Sequence, residues 1–395
     1  MSHPCDTIVE RRHTACLKWD GIESRYGVKG DDLLPMWVAD MEFRPPEAVI
    51  QALVQRAAHG ICGYPADLPA YHEAIQGWMR RRHGWEIKGE WIASAPGVVS
   101  AVNLLIRTLT NRGDGVVLQP PVYYPFFRGV EENGCRVIHN PLRFDGTRYV
   151  MDFEDLERKL DQAKLLILCS PHNPVGRVWT REELLRLGQL CLERGVVVIS
   201  DEIHADLTFS GHPHTVFATL SEALAQASVV CTSPSKTFNI PGLQPGVIVI
   251  PNPRLRRDLQ RTLRACGIPE PNVFCLEAVK AAYHQGEPWL KELLAYLEEN
   301  HAVLRRFVAQ EIPRLRVVEA EGTYLAWLDC RGLGLEPKAL GQFLLDKARL
   351  VLSQGYTFGP GGEGFIRINL ACPRAMLEDG LGRLASAIGS LPVTK

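Results

Sequence analysis

Thr232-Ser-Pro-Ser-Lys236-Thr-Phe-Asn-Ile-Pro-Gly-Leu-Gln244 is the stretch on which the reading of this chain turns. A lysine amine is a strong nucleophile only when its charge is suppressed, and it then condenses with an aldehyde as a Schiff base. Lys236 follows a strand-like run at 228–232, and Thr232, Ser233 and Ser235 beside it are hydroxyls suited to holding a phosphate. A reactive lysine among phosphate-holding hydroxyls suggests pyridoxal 5′-phosphate as a cofactor. Most lysines in such loops are solvated surface charges, so the rest of the chain must decide.

Outward from this loop, short β-rich segments at 116–119, 136–139, 165–169, 196–200, 228–232 and 247–250 alternate with helical patterns. Residues 47–59 place Val49, Ile50, Leu53, Val54, Ala57 and Ala58 at helical spacing between Pro45-Pro46 and Gly60. A second apolar helix, 98–109, opens after Pro96-Gly97, and Thr180-Arg-Glu-Glu183 is a capping box for a helix running to about 193. Continuously apolar strands interleaved with helices predict an α/β fold with a mostly parallel sheet covered on both faces. From about residue 287 the pattern changes to a long amphipathic helix ending near 311. Strands at 316–319, 324–329 and 365–369 then form a smaller α+β unit. With 395 residues, more than one domain is expected. The predicted organisation is a large domain, 46–286, and a small C-terminal domain, 287–395. An N-terminal segment, 1–45, packs on the small domain or on a partner subunit through Leu33-Leu34-Pro-Met-Trp37-Val38.

Lys+Arg 44 against Asp+Glu 45 gives a net charge of −1. The densest basic cluster, Arg80-Arg81-Arg82-His83, ends a predicted helix, where cations suit the dipole, so nucleic acid is not expected as a partner. Apolar runs such as 196–199 are strand-sized, far below the ~20 residues a bilayer requires, and the polar N-terminus lacks an apolar signal core. The 11 cysteines have neither metal nor redox spacing, and Cys169 and Cys231 fall in predicted buried strands. The expectation is a reduced, cytoplasmic protein without a metal site or membrane attachment.

Ligands of open α/β sheets bind beyond the carboxyl ends of the strands, and several predicted strand ends here carry suitable residues. Strand 165–169 leads into Ser170-Pro-His-Asn173-Pro-Val-Gly176, where the Asn173 amide either donates to a phenolate oxygen of the cofactor or caps the strand as an Asx turn. Strand 196–200 leads into Asp201-Glu202-Ile203-His204. A buried aspartate needs a positive partner, which a protonated pyridine nitrogen supplies; the alternative for Asp201 is a helix N-cap. Glu202 reads as a helix-start carboxylate without chemistry, and His204 either joins Asn173 or is a satisfied structural histidine. Gly97-Val98-Val99 opens a helix, a natural phosphate cradle. Tyr123, in Pro121-Val-Tyr-Tyr-Pro125, offers an aromatic face to a ring or packs in the core. Arg367 sits inside an apolar strand after the glycine-rich 359–364 loop, and needs an anion: a substrate α-carboxylate or a structural ion pair.

In this order and spacing the pieces resemble the fold-type I PLP-dependent enzymes of the class I/II aminotransferase superfamily, and among them the cystathionine β-lyases of the MalY/PatB type. The resemblance spans about 16 to 391. It rests on Leu34-Pro-Met-Trp-Val-Ala-Asp-Met41, 60–64, Arg82-His-Gly-Trp-Glu86, Pro96-Gly-Val-Val99, 168–179, Ser200-Asp-Glu-Ile-His204, 233–244, Glu321-Gly-Thr-Tyr324 and 358–367. It implies Lys236 as the Schiff-base lysine, Asp201 at the pyridine nitrogen and Asn173 near the phenolate oxygen. It further implies Tyr123 stacked on the ring, Val98, Val99, Ser233 and Ser235 around the phosphate, and Arg367 on the substrate carboxylate beside Tyr123 and Asn173. Tyr64 is implied to reach the neighbouring subunit's phosphate, which requires a homodimer. Gln244 stands where many aminotransferases have an arginine, and His204 where they have a tyrosine; Pro241, Pro245-Gly246 and Gln354-Gly355-Tyr356 also depart from the pattern. The implied activity is cleavage of L-cystathionine or a related S-substituted cysteine to a thiol such as homocysteine, pyruvate and ammonia, with a place in methionine biosynthesis. The alternatives are transamination and, from another class, binding of a protein regulator as a second activity.

Overall fold

The structure, a computed structural model, describes residues 3–66, 68–268 and 270–392. The outermost ends of the two predicted terminal units, 1–2 and 393–395, lie outside the described residues. Among those described, seven strands form one sheet in the order Ile92–Pro96, Pro245–Val249, Ser228–Thr232, Val197–Asp201, Ala163–Cys169, Gly115–Leu118, Arg136–His139. Pro245–Val249 runs antiparallel to both neighbours and the remaining pairs are parallel.

The apolar runs follow from burial on both faces. Val116 and Leu118 pack with Val98, Ala101, Val102 and Leu105 of the helix Val98–Leu109, while Val117 between them points into a second core with Leu184, Leu187 and Cys191 of the helix Arg181–Glu193. Successive side chains of a strand take opposite faces, so a strand covered on both sides must be apolar at every position. The capping box at Thr180 is present in full, with Thr180 Oγ1 accepting from Glu183 N at 3.2 Å and Glu183 Oε2 accepting from Thr180 N at 2.9 Å.

Strand ends differ from the sequence expectation by one or two residues. The 196–200 strand is Val197–Asp201, which makes Asp201 its last residue, and the 247–250 strand begins at Pro245, paired with Pro96. The edge strand Ile92–Pro96 has no sequence counterpart above. Its Ile-Ala-Ser-Ala-Pro run has only one β-branched residue and ends in proline, and it is held by one neighbour along a sheet edge.

A second, antiparallel sheet has the order Arg316–Val317, Leu325–Asp329, Phe365–Asn369, Ser353–Gln354. Leu34 and Met36 share its core with Leu350, Ile366 and Ile368, and Leu34–Pro35 pairs in parallel with Leu350–Val351. The helix Glu287–Glu311 buries Leu304 and Val308 in the same core.

Buried Arg177 ties the loop after Ala163–Cys169 to the loop before Leu325–Asp329. Its Nε lies 2.8 Å from Glu321 Oε2 and its Nη2 2.9 Å from Glu183 Oε2, and Nη1 donates to the Tyr149 carbonyl. Next to it, Gly176 takes φ +74°, and a Cβ there would stand 2.8 Å from that of Ala320. Arg177→Met leaves a buried carboxylate short of its main partner and is expected to destabilise the fold by about 3–5 kcal/mol. The check is the urea midpoint, and an unchanged value would mean that the bridge holds nothing.

Candidate active site

A cavity of about 210 Å³ opens beyond the carboxyl ends of the parallel strands. Its walls include Val98, Val99, Tyr123, Asn173, Asp201, His204, Ser235 and Lys236. Residues from strand ends far apart in sequence are thus brought together, as the sheet topology requires.

Lys236 lies in the short helix Pro234–Thr237, directly after Ser228–Thr232. Its Nζ donates to the Ala39 carbonyl at 2.5 Å, and Tyr324 Oη donates to the same oxygen at 2.9 Å. Burial pushes the amine down to about 8; Asp40 and Asp201 oppose this shift, while Arg367 and Lys18 add to it. A fraction of the lysine is therefore neutral, and hence nucleophilic and basic, near neutrality.

Asp201 is buried, and burial pushes its carboxyl up to about 7 against the Ile203 amide, which donates to Oδ1 at 3.1 Å; the charge of Glu202 pushes the same way as burial. No helix begins at Asp201, which excludes the N-cap alternative, and no cation pairs with it among the described residues. His204 Nδ1 is buried without a partner, and burial, with the charges of Lys236 and Arg367, holds the ring down to about 3, so it is neutral.

Arg367, in Phe365–Asn369, meets no carboxylate. Its Nη1 donates to Asn173 Oδ1 at 3.0 Å, Nη2 to the Trp37 carbonyl at 2.8 Å and to Ser353 Oγ at 3.1 Å, and Nε is buried without a partner. The structural ion pair is therefore absent, and a buried guanidinium remains with donor capacity to spare. Because Asn173 accepts through its oxygen, its amide NH2 is left as a donor at the cavity.

Gly97 precedes the helix Val98–Leu109 with φ +86°, a value glycine tolerates, and a Cβ there would meet nothing within 4 Å. The first amides of that helix have no partners within it. Ser235 joins them on the wall, whereas Ser233 caps the Lys236 turn: its Oγ accepts from Ser235 N at 3.0 Å and donates to the Pro245 carbonyl at 2.5 Å. Gln244 and Pro241 also line the cavity. Tyr64 is fully exposed and is not part of the cavity of its own chain.

The residues fit pyridoxal 5′-phosphate. A buried carboxyl without a cation suits a pyridine N–H, and the helix start with the Ser235 hydroxyl suits a phosphate. The free Asn173 amide would suit the ring's phenolate oxygen, and the unpartnered His204 Nδ1 is a further polar atom among the residues of the cavity wall. Glu202 corrects the sequence reading: it starts no helix but is a buried acid bonded to Ser200 Oγ at 2.8 Å, Phe217 N at 2.9 Å and His214 Nε2 at 2.8 Å. Sequence reasoning also missed the Ala39 carbonyl and the charges behind it. The carboxylates Asp40 and Glu42 in an otherwise apolar 36–43 run were the available signal.

The raised Asp201 carboxyl has a stability consequence with a definite sign. A group bound more tightly by protons in the folded state stabilises fully below its unfolded value and loses that contribution as pH rises through its folded value. The cofactor-free protein should therefore lose on the order of 3–4 kcal/mol from this residue between about pH 4 and about pH 7. Asp201→Asn should not show that loss, so its advantage in chemical unfolding grows across the window; a difference independent of pH would refute the assignment.

Comparison with known proteins agrees with this geometry. The class I and II aminotransferase family matches residues 32–384. The chain is 48% identical over 385 residues to cystathionine beta-lyase PatB of Bacillus subtilis, spanning 97% of this chain and 99% of that protein. It is 36% identical over 385 residues to protein MalY of Escherichia coli, spanning 96% and 97% respectively. The crystal structure of cystalysin from Treponema denticola, which contains a pyridoxal 5′-phosphate cofactor, superposes with a TM-score of 0.96 at 36% identity, covering 99% of this chain and 100% of that one. Fold, site and sequence together place the chain in the class I and II aminotransferase family, within the branch of the MalY/PatB-type cystathionine β-lyases.

Proposed function

We propose that the protein is a PLP-dependent carbon–sulfur β-lyase that cleaves L-cystathionine or a related S-substituted cysteine to a thiol, pyruvate and ammonia. The observation that carries the reading is the convergence of the Lys236 amine and the Asp201 carboxyl on one cavity whose wall residue Asn173 is bonded to Arg367, a buried guanidinium with an unpartnered Nε.

Lys236 would hold the cofactor, with Asp201 the partner for a pyridine nitrogen, Asn173 and His204 suited to a phenolate oxygen and Tyr123 to the ring. Val98, Val99 and Ser235 surround the phosphate, and Ser233 supports Ser235. Bound there, pyridoxal 5′-phosphate supplies an electron sink for the pair released at the substrate Cα. Arg367 takes the α-carboxylate in a bidentate grip and fixes which substrate bond faces the lysine. The Lys236 amine, when neutral and unlinked, would remove the α-proton as general base. Asp201 keeps the adjacent ring nitrogen protonated. The electron pair at Cα then expels the thiolate from Cβ, and 2-aminoacrylate, once released, hydrolyses to pyruvate and ammonia. A thiolate leaves readily, so no separate strong acid is required at the β-position.

Transamination uses the same residues up to loss of the α-proton. It is less favoured because Gln244 stands where many aminotransferases have an arginine, and because the 48% identical relative from Bacillus subtilis is named a cystathionine beta-lyase. The decisive assay supplies cystathionine without any 2-oxo acid: pyruvate and thiol should appear in equal amounts, and Lys236→Ala should abolish both. Product formed only with an added 2-oxo acid, without thiol, would establish transamination instead.

The active unit in this reading is a cytoplasmic homodimer serving methionine biosynthesis. Support for the dimer comes from Tyr64 and Ile61, exposed by 104% and 68% on a segment outside the lining of their own cavity, with Ile8, Leu17 and Val54 also exposed. Tyr64 then reaches the partner's phosphate site. Tyr64→Phe should loosen cofactor retention several-fold in dialysis without lowering Tm, and a monomer with full activity in sedimentation and kinetic runs would refute the shared site.

A further inference from the structure

Trp37-Val38-Ala39-Asp40 carries family likeness and places Ala39 in the cavity wall, yet Asp40 has no assigned role. The segment is secured from several distant places. Arg11 forks onto Asp40, with Nη2–Oδ2 at 2.6 Å and Nη1–Oδ1 at 3.3 Å, and its Nη1 lies 3.0 Å from Glu42 Oε1. Lys18 Nζ, itself buried, lies 2.6 Å from Glu42 Oε1 and 3.5 Å from Asp40 Oδ1, and donates to the Asp40 carbonyl at 3.2 Å. Asn369 Nδ2 donates to the carbonyls of Val38 and Asp40 at 2.6 and 2.5 Å. With its neighbours clamped, the Ala39 carbonyl has a fixed direction, and it points at Lys236 Nζ. Two cations and two carboxylates so placed are far more than a turn of backbone needs to stay folded, and charges this well buried are weakly screened by salt.

We propose that Asp40 is a positioning residue for Lys236: clamped by Arg11 and Lys18, it aims the Ala39 carbonyl at the lysine nitrogen, and its charge, partly offset by Lys18, sets how readily that nitrogen holds a proton. The inference rests on Lys236 being the cofactor-bearing lysine. The charges facing Lys236 come from four elements: Asp40 and Asp201 favour its protonated form, while Arg367 and Lys18 disfavour it. Tyr123, Tyr324 and His204 around the same space are neutral at working pH, the tyrosines held above and the histidine below their usual ranges by burial. Asp40 and Lys18 therefore act on the lysine with opposite signs. General loosening of the segment has no such sign reversal.

The test is a pH titration of the visible absorbance of the lysine-bound cofactor in the holoenzyme, with Tm measured alongside. Asp40→Asn should move the midpoint down by about one pH unit, and Asp40→Glu should restore most of it. Lys18→Met should move it up. An unmoved midpoint in Asp40→Asn, or a shift of both variants in the same direction, would overturn the proposal whatever happens to Tm. If Asp40→Asn does not fold, Lys18→Met decides by sign alone, an upward shift supporting the proposal and any other result overturning it. A wild-type protein without a lysine-linked band would refute the cofactor reading itself, and is told apart from failure of the proposal because the latter leaves the wild-type titration intact.

Discussion

The hydrogen bond from Lys236 Nζ to the Ala39 carbonyl joins parts of the chain that are otherwise far apart. One end lies in the short helix after strand Ser228–Thr232 of the large mixed sheet and the other in a segment packed on the second sheet. An ammonium-bearing side chain at the mouth of a sheet whose both faces are apolar is tolerable only if an oxygen waits for it. The antiparallel insertion of Pro245–Val249, the capping of the Lys236 turn by Ser233 and the tethering of Ala39 through Asp40 together hold the donor and acceptor in register.

The same economy explains where polar residues were admitted. Within the sheet they cluster at strand ends, because there one face of the residue leaves the core. Asp201 is the last residue of its strand, Asn173 and Lys236 follow theirs closely, and all three are buried or half-buried without a full set of partners from the chain. Arg177 and Glu202 are as deeply buried, but both are saturated by protein partners, which marks them as framework. Partner saturation separates the two groups where burial does not.

Much of this was legible in the sequence, and the parts that were not share a cause. The helices Glu47–His59, Val98–Leu109 and Arg181–Glu193 carry their own start and stop signals, and apolar strands declare themselves. Asp201, Asn173 and Lys236 were readable because each ends such a strand or lies in the short loop or turn after it. Ile92–Pro96 was not, since its pairing lies with Pro245–Val249, more than a hundred residues away. Glu202 was misread for the same reason: an acid after a strand looks like a cap until His214 and the Phe217 amide arrive from a later loop. Arg11 and Lys18 have no periodicity that ties them to Asp40; only the folded chain sets them there.

Asn173 holds Arg367 through its carbonyl oxygen while offering its amide to the cavity. One planar group thus joins the cavity wall to the buried guanidinium. A ligand that draws the Asn173 amide forward pulls on the guanidinium, and one that turns the guanidinium pulls on the amide. Thermodynamic linkage makes that exchange reciprocal: whatever free energy the first occupant contributes to the affinity of the second, the second returns to the first. The coupling would run through a single side chain.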